Sequence, residues 1–184
     1  VKNLNLKQIR FSPKYLNSST RFRLMQVKTI KDTRSLTLMF ALPKTLHYYK
    51  SQPLGMLGFL LGHEGKGSLL SLLKRGNLAT GLSAGGGESN NSFSSFEVKI
   101  QLTPKGLRNY KKIIRNVFQY LSLLRKSGLP HYVFDEVKRM SELDYRFAEK
   151  PEGTSLVNVF STLMMYYPFR TVEIAPYIIT EFKP

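Results

Sequence analysis

Between Ser35 and Leu42 the chain alternates strictly, with Leu36, Leu38, Phe40 and Leu42 on one side and Ser35, Thr37, Met39 and Ala41 on the other. Period-two alternation is the signature of a strand with one face on a core, and Pro43, which cannot donate to a ladder, ends it. Phe96, Val98, Ile100 and Leu102 repeat the pattern against Glu97, Lys99 and Gln101, which predicts a half-buried antiparallel strand over 93–102. A companion strand over 78–86 precedes it across the turn-rich segment from Glu88 to Ser92. Phe22, Leu24, Val27 and Ile30 suggest an additional first strand from Arg21 onward.

The remaining apolar positions follow helical spacing. From Pro53 to Leu61 the chain is apolar nearly all round, which predicts a helix buried on several sides and broken by Gly62 and Gly65. A second helix is expected from Ser68 to Arg75, stopped by Gly76. Thr103 as N-cap, Pro104 at the first helical position and Gly128 past the end frame a long helix. Its stripe is Leu107, Tyr110, Ile113, Ile114, Val117, Phe118, Leu121 and Leu124. Further helices are predicted over 132–147, with Val133, Val137 and Met140 inward, and near Val172 to Phe182, beyond an apolar segment from Leu156 to Tyr166. Strand pairs followed by long amphipathic helices predict an α+β fold, an antiparallel sheet covered on one face by helices. Lys183 and Pro184 follow directly on a helical pattern, so the sheet is expected to lack its last strand.

Composition changes this picture in three ways. The 184 residues fit one α+β domain over 21–184 with a basic extended lead-in over 1–20. Because the chain starts at Val1 without a signal-peptide pattern, it is expected to be an internal excerpt or a processed product. No apolar run reaches the roughly 18–20 residues a membrane-spanning helix needs, so membrane insertion is not expected. The net charge of +16 favours anionic partners through long-range attraction. Eight cations precede the first acid, Asp32, which reads as a solvated or partner-facing arm. Cysteine is absent, which excludes thiolate catalysis, disulfides and Cys-ligated zinc.

Candidate chemistry is sparse. His63-Glu64 begins like H-x-x-x-H zinc helices, but Gly67 stands where the second histidine belongs, and His47 and His131 are far away in sequence. Taken alone, His63 reads as a helix-end residue bonding a free carbonyl. Ser68 and Ser83 lack the G-x-S-x-G setting of a nucleophile. Gly85-Gly86-Gly87 leads into strand rather than helix and lacks the lysine of a phosphate loop, so its plain reading is a flexible hairpin tip. A better functional reading is an accessible strand edge at Ser83, Ala84, Gly85 and Gly86, to which an extended peptide would add as another strand.

Several short motifs then occur in one order: Y-Y-K-S at 48–51, L-G-H-E-G-K-G-S-L-L at 61–70, L-T-P-K-G-L at 102–107, F-Q-Y at 118–120, Y-R-F at 145–147, Y-Y-P at 166–168 and E-F-K-P at the end. In these the chain resembles the pitrilysin/insulinase zinc metallopeptidases, and specifically the second, non-catalytic domain of insulin-degrading-enzyme-like members. The resemblance implies a LuxS/mitochondrial-processing-peptidase-like metallohydrolase domain in a large enzyme whose zinc motif lies in another domain. It implies zinc in the full-length enzyme and none bound by this chain, peptide substrates, and the other domains of the parent protease as partners. It also implies a chamber wall carrying a substrate-anchoring exosite: Phe59, Leu60, Leu61, Gly62, His63, Glu64 and Gly65, with Leu82, Ser83, Ala84, Gly85 and Gly86. The family has a histidine where Phe59 stands and a Val-Gly pair where Ser83-Ala84 stands, which alters the expected preference for the peptide's first residue. Two rival readings are a basic module binding nucleic acid or an anionic surface, disfavoured because no nucleic-acid motif is present, and a catalytically dead scaffold paralogue.

Overall fold

The computed structural model describes residues 23–149 and 151–183. The expected basic lead-in and Phe22 lie outside these residues. Three strands, β1 (Ser35–Pro43), β2 (Ala79–Ser89) and β3 (Phe93–Leu102), form an antiparallel sheet in the order β1-β3-β2. The helices are α1 (Pro53–Gly62), α2 (Leu69–Arg75), α3 (Pro104–Arg108), α4 (Tyr110–Ser127), α5 (His131–Arg146) and α6 (Gly153–Leu163). The chain is thus α+β, as its patterning predicts.

The alternation of the strands decides which face the helices cover. Leu36 and Leu82 flank Ile100, Leu38 and Ala84 flank Val98, and Phe40 and Gly86 flank Phe96, all on one face. Val98 and Ile100 are fully buried there against Leu61 of α1, Leu69, Leu70 and Leu73 of α2, and Ile113 and Val117 of α4. The opposite face turns Ser35, Thr37, Met39, Lys99 and Gln101 outward. Ser68 caps α2 by accepting from the Ser71 N–H at 3.1 Å, and Thr103 caps α3 by accepting from the Gly106 N–H at 2.9 Å. Each hydroxyl satisfies one of the orphan donors at a helix start.

α1 is apolar all round because it has two packing partners. Its Leu61 enters the sheet core, while Met56 joins a second core with Phe134 of α5 and Ile179 of the terminal segment. The helix therefore lies between β2 and α5.

Four local expectations fail for physical reasons. Residues 23–34 form no strand, and Leu24, Val27 and Ile30 are solvent-exposed. Val27 is three residues from both Leu24 and Ile30, so a period of two puts it on the face opposite to theirs. The long helix framed by Thr103 and Gly128 breaks at Asn109, whose side-chain amide donates to the Lys105 carbonyl at 2.8 Å, the carbonyl that also accepts its backbone N–H at 3.1 Å, so that the residue closes the turn on itself. The helix expected near Val172 to Phe182 is absent: a short 3-10 turn at Phe169–Thr171 leads into turns and extended chain. Pro176 supplies no N–H there, and the segment is instead tied down by Gln52 to the Pro176 carbonyl and Ser141 to the Tyr177 carbonyl, both at 2.9 Å. Finally, Gly85, Gly86 and Gly87 belong to β2 rather than to the hairpin tip. The turn itself is closed by Asn90, whose side-chain oxygen accepts from the N–H groups of Ser92 and Phe93.

Candidate functional site

β2 is one of the two end strands, with no partner on its outer side among the described residues. Two bonds determine which of its backbone groups face that side. The Leu102 N–H donates to the Arg34 carbonyl at 2.8 Å, which makes Ser35 and Gln101 a non-hydrogen-bonded pair. Gln101, Lys99 and Glu97 therefore turn their N–H and C=O groups toward β2, where their partners are Gly81, Ser83 and Gly85. By the same alternation Leu82, Ala84 and Gly86 point their backbone N–H and C=O groups to the open edge. The Thr103 N–H bond to the Leu78 carbonyl, at 3.1 Å, gives the same phase from the other end of the ladder.

Beside this edge lies an open groove of about 560 Å³. Its walls are α1 (Gly55, Gly58, Phe59, Gly62), β2 (Leu82, Ser83, Ala84, Gly85) and α5 (Val137, Met140, Ser141, Asp144), closed at one end by Gln52, Leu54 and Ile179. α1 approaches β2 so closely at Gly58 that a Cβ there would stand 2.9 Å from the Ala84 carbonyl oxygen and 3.1 Å from the Gly85 Cα. Only glycine permits that approach.

Of the twelve residues singled out by the sequence, the groove brings together Phe59, Gly62, His63, Leu82, Ser83, Ala84 and Gly85. Leu61 is fully buried in the sheet core, and Leu60 is half-buried outside the groove lining. Glu64 is exposed and pairs with Lys74 at 3.5 Å, and Gly65 is an exposed turn residue. Gly86 sits beyond the groove against Leu54. His63 bonds differently from its plain reading: its Nδ1 accepts from the Gly65 N–H at 3.1 Å rather than donating to a carbonyl. In its neutral form the ring then carries its proton on Nε2.

The α5 wall was not found from the sequence as part of a site. Val137, Met140, Ser141 and Asp144 share a face at spacings of three and four, and the apolar members were expected inward, but nothing local ties that face to β2. The groove also has a charge character opposite to that of the chain. No lysine or arginine lines it, and Asp144 is its one carboxylate.

A smaller cavity of about 180 Å³ adjoins the groove through Gln52, Leu54 and Gly55, and holds Tyr48, Tyr49 and Tyr167. Tyr49 and Tyr167 meet edge to face with centroids 5.3 Å apart. Burial, with a smaller contribution from Tyr49, raises the pKa of the Tyr167 hydroxyl.

Among the described residues no three of His, Asp or Glu converge into a set that would hold a metal ion. Zinc needs about three converging protein ligands, so the donors of these residues do not fit it.

Residues 3–141 match the family model described as the peptidase M16 inactive domain. The chain belongs to this family. Insulin-degrading enzyme of Drosophila melanogaster is 37% identical over 185 residues, covering 100% of this chain and 19% of that protein. Human nardilysin is 31% identical over 166 residues, covering 88% of this chain and 14% of that protein. The M16 inactive domain here thus spans about one fifth or less of the length of these relatives. Among solved structures, pitrilysin superposes with a TM-score of 0.77 at 21% identity, covering 91% of this chain and 19% of that one. The peptidase M16 inactive domain from Pseudomonas fluorescens superposes with a TM-score of 0.53 at 20% identity, covering 81% and 35%. Both likenesses establish the M16 fold for this chain.

Proposed function

We propose that this M16 inactive domain is a substrate-anchoring wall of a larger zinc metallopeptidase, holding an extended peptide by strand addition to the free edge of β2. The observation that carries this reading is the outward orientation of the Leu82, Ala84 and Gly86 backbone groups beside the groove. Main-chain bonding gives affinity without demanding a particular sequence, and the small side chains of Ser83, Ala84 and Gly85 leave room for the incoming strand. Phe59 and Met140 provide apolar contacts for side chains of that strand. The zinc implied by the family is held by residues outside this chain. The domain contributes by positioning the substrate, which reduces the entropy lost when it reaches the reacting groups.

The test is titration of the chain with an acetylated neutral peptide of extended conformation, followed by backbone amide shifts. Shifts confined to Leu82, Ala84 and Gly86 and to the groove residues of α1 and α5, little changed by salt, are expected. Binding of an oligonucleotide that weakens steeply with salt, with no response to peptide, would replace this reading by that of a basic anion-binding module.

A further inference from the structure

We infer that Asp144 selects for a cationic group, ammonium or guanidinium, on the peptide bound in the groove. The inference rests on the peptide reading above and adds a charge preference to it. The chain has 28 basic and 12 acidic residues, so a surface chosen at random would be lined with cations. The groove has neither lysine nor arginine, and its lining includes one carboxylate, that of Asp144. Asp144 forms no ion pair among the described residues, as is also true of Glu88, Glu97, Glu136, Glu149, Glu152 and Glu173, but of these seven it alone lines the groove.

The place of Asp144 in its helix acts in the same direction. It lies in the last turn of α5 (His131–Arg146), at the negative end of the helix dipole, in a turn that also carries Arg146. A carboxylate there is unfavourable to the free protein, and carboxylate and helix end attract a cation in the same sense. The wall is also held in place. One turn earlier Ser141 donates to the Tyr177 carbonyl at 2.9 Å, and Tyr145 packs on the Tyr177 ring with centroids 5.4 Å apart. These contacts fix the last turns of α5 against the terminal segment, so Asp144 faces the groove from a supported helix rather than from a loop. A cation reaching it would meet no competing lysine or arginine of the lining.

Two sources of the cation share this chemistry, the amino terminus of the peptide and a lysine or arginine side chain. Three peptides of equal length separate them: acetylated and neutral, acetylated with one lysine, and one with uncharged side chains and a free amino terminus. Anisotropy titrations of the native chain are expected to show one or both cationic peptides binding about three- to fivefold tighter than the neutral one, the size an exposed ion pair supports. The preference should shrink as salt rises. In Asp144→Asn the preference should vanish, the three peptides binding that variant with equal affinity, and Asp144→Glu should retain it. The thermal midpoint of Asp144→Asn should equal or exceed that of the native chain, because an anion is removed from a helix C-terminus.

Equal binding of all three peptides by the native chain overturns the charge selection and leaves strand addition standing. So does a preference that survives Asp144→Asn. A uniform loss for all three peptides in that variant makes Asp144 a structural residue instead. Failure of every peptide to bind the native chain removes the anchoring reading, and this inference with it.

Discussion

At the scale of single residues, the contact between α1 and β2 depends on one missing side chain. A valine at position 58 would drive its Cβ into the Ala84 carbonyl and the Gly85 Cα, both of which are backbone and unable to swing aside. Gly58→Val is therefore expected to destabilise the fold by roughly 1–3 kcal/mol through overpacking. A urea midpoint lowered at constant slope would show it, and an unchanged midpoint would mean that α1 can lift away from the sheet. Gly106 carries the same constraint at the other end of the sheet, where an added Cβ would overlap the Leu78 carbonyl. Tyr167 gives a pH-dependent prediction. Burial first and the Tyr49 hydroxyl second raise its pKa above the ordinary 10.0, so the folded state holds its proton more tightly than the unfolded chain does. That contribution is fully present below the unfolded value of 10.0 and is lost as pH climbs through the raised one. Stability should thus be insensitive to this group at neutral pH and fall in alkali. Tyr167→Phe should make the alkaline fall shallower, read from thermal midpoints measured at successive pH values above 9 to 11, the region about the ordinary tyrosine pKa of about 10. An identical alkaline slope in the variant would mean that other groups set the fall.

At the scale of elements, the edge of β2 makes the most specific prediction. Ala84 turns its N–H away from β3, so Ala84→Pro deletes an outward donor without removing a ladder bond, and proline is tolerated on edge strands. Peptide affinity is expected to fall about tenfold or more, as expected when a main-chain bond is lost and its acceptor on the peptide is left unpaired. The far-ultraviolet spectrum should stay native. Unchanged affinity in a folded variant would place the peptide elsewhere. The same elements show how much the sequence discloses. Alternation over 35–42 and 93–102 and the helix starts at Ser68 and Thr103 are local signals, and the strands and the first turns they mark form where expected, although the helix begun at Thr103 breaks at Asn109. Leu61, by contrast, shares a motif with groove residues yet points into the core, because neighbours on a helix face different sides. Ser141 and Asp144 resemble ordinary solvated helix positions. Only the packing of α5 on α1, 70 residues or more away in the chain, brings them to the edge of β2. The helix expected over 172–182 fails for a related reason: its polar backbone is satisfied by Lys50, Gln52 and Ser141, partners that no periodicity reveals.

At the scale of the molecule, polar and apolar surfaces are unevenly divided. The sheet core is closed on itself, but no residue of α6 is buried, and Val157, Met165 and Phe169 are 66%, 64% and 79% exposed. Exposed apolar residues gathered in one stretch of chain, here α6 and the segment that follows it, mark a surface that another body covers. Because the relatives are about five times longer than this chain, we propose that other domains of a parent peptidase cover it. In the chain alone that surface should drive self-association, in spite of a net charge of +16 that opposes it at long range. Sedimentation velocity is expected to show larger species accumulating with concentration, more strongly at high salt, where the repulsion is screened. Replacing Val157 and Phe169 by glutamate should shift the distribution toward monomer. The thermal midpoint should change little, because these side chains contribute no buried area to the core and exposed substitutions stay within about 0.5 kcal/mol. Peptide binding should also persist, since neither residue lines the groove. If the substituted chain associates as strongly as the native one, the apolar surface of α6 and the segment after it is not what draws copies together. The exposed Leu24, Val27 and Ile30 of the segment before β1 would then be the next surface to replace.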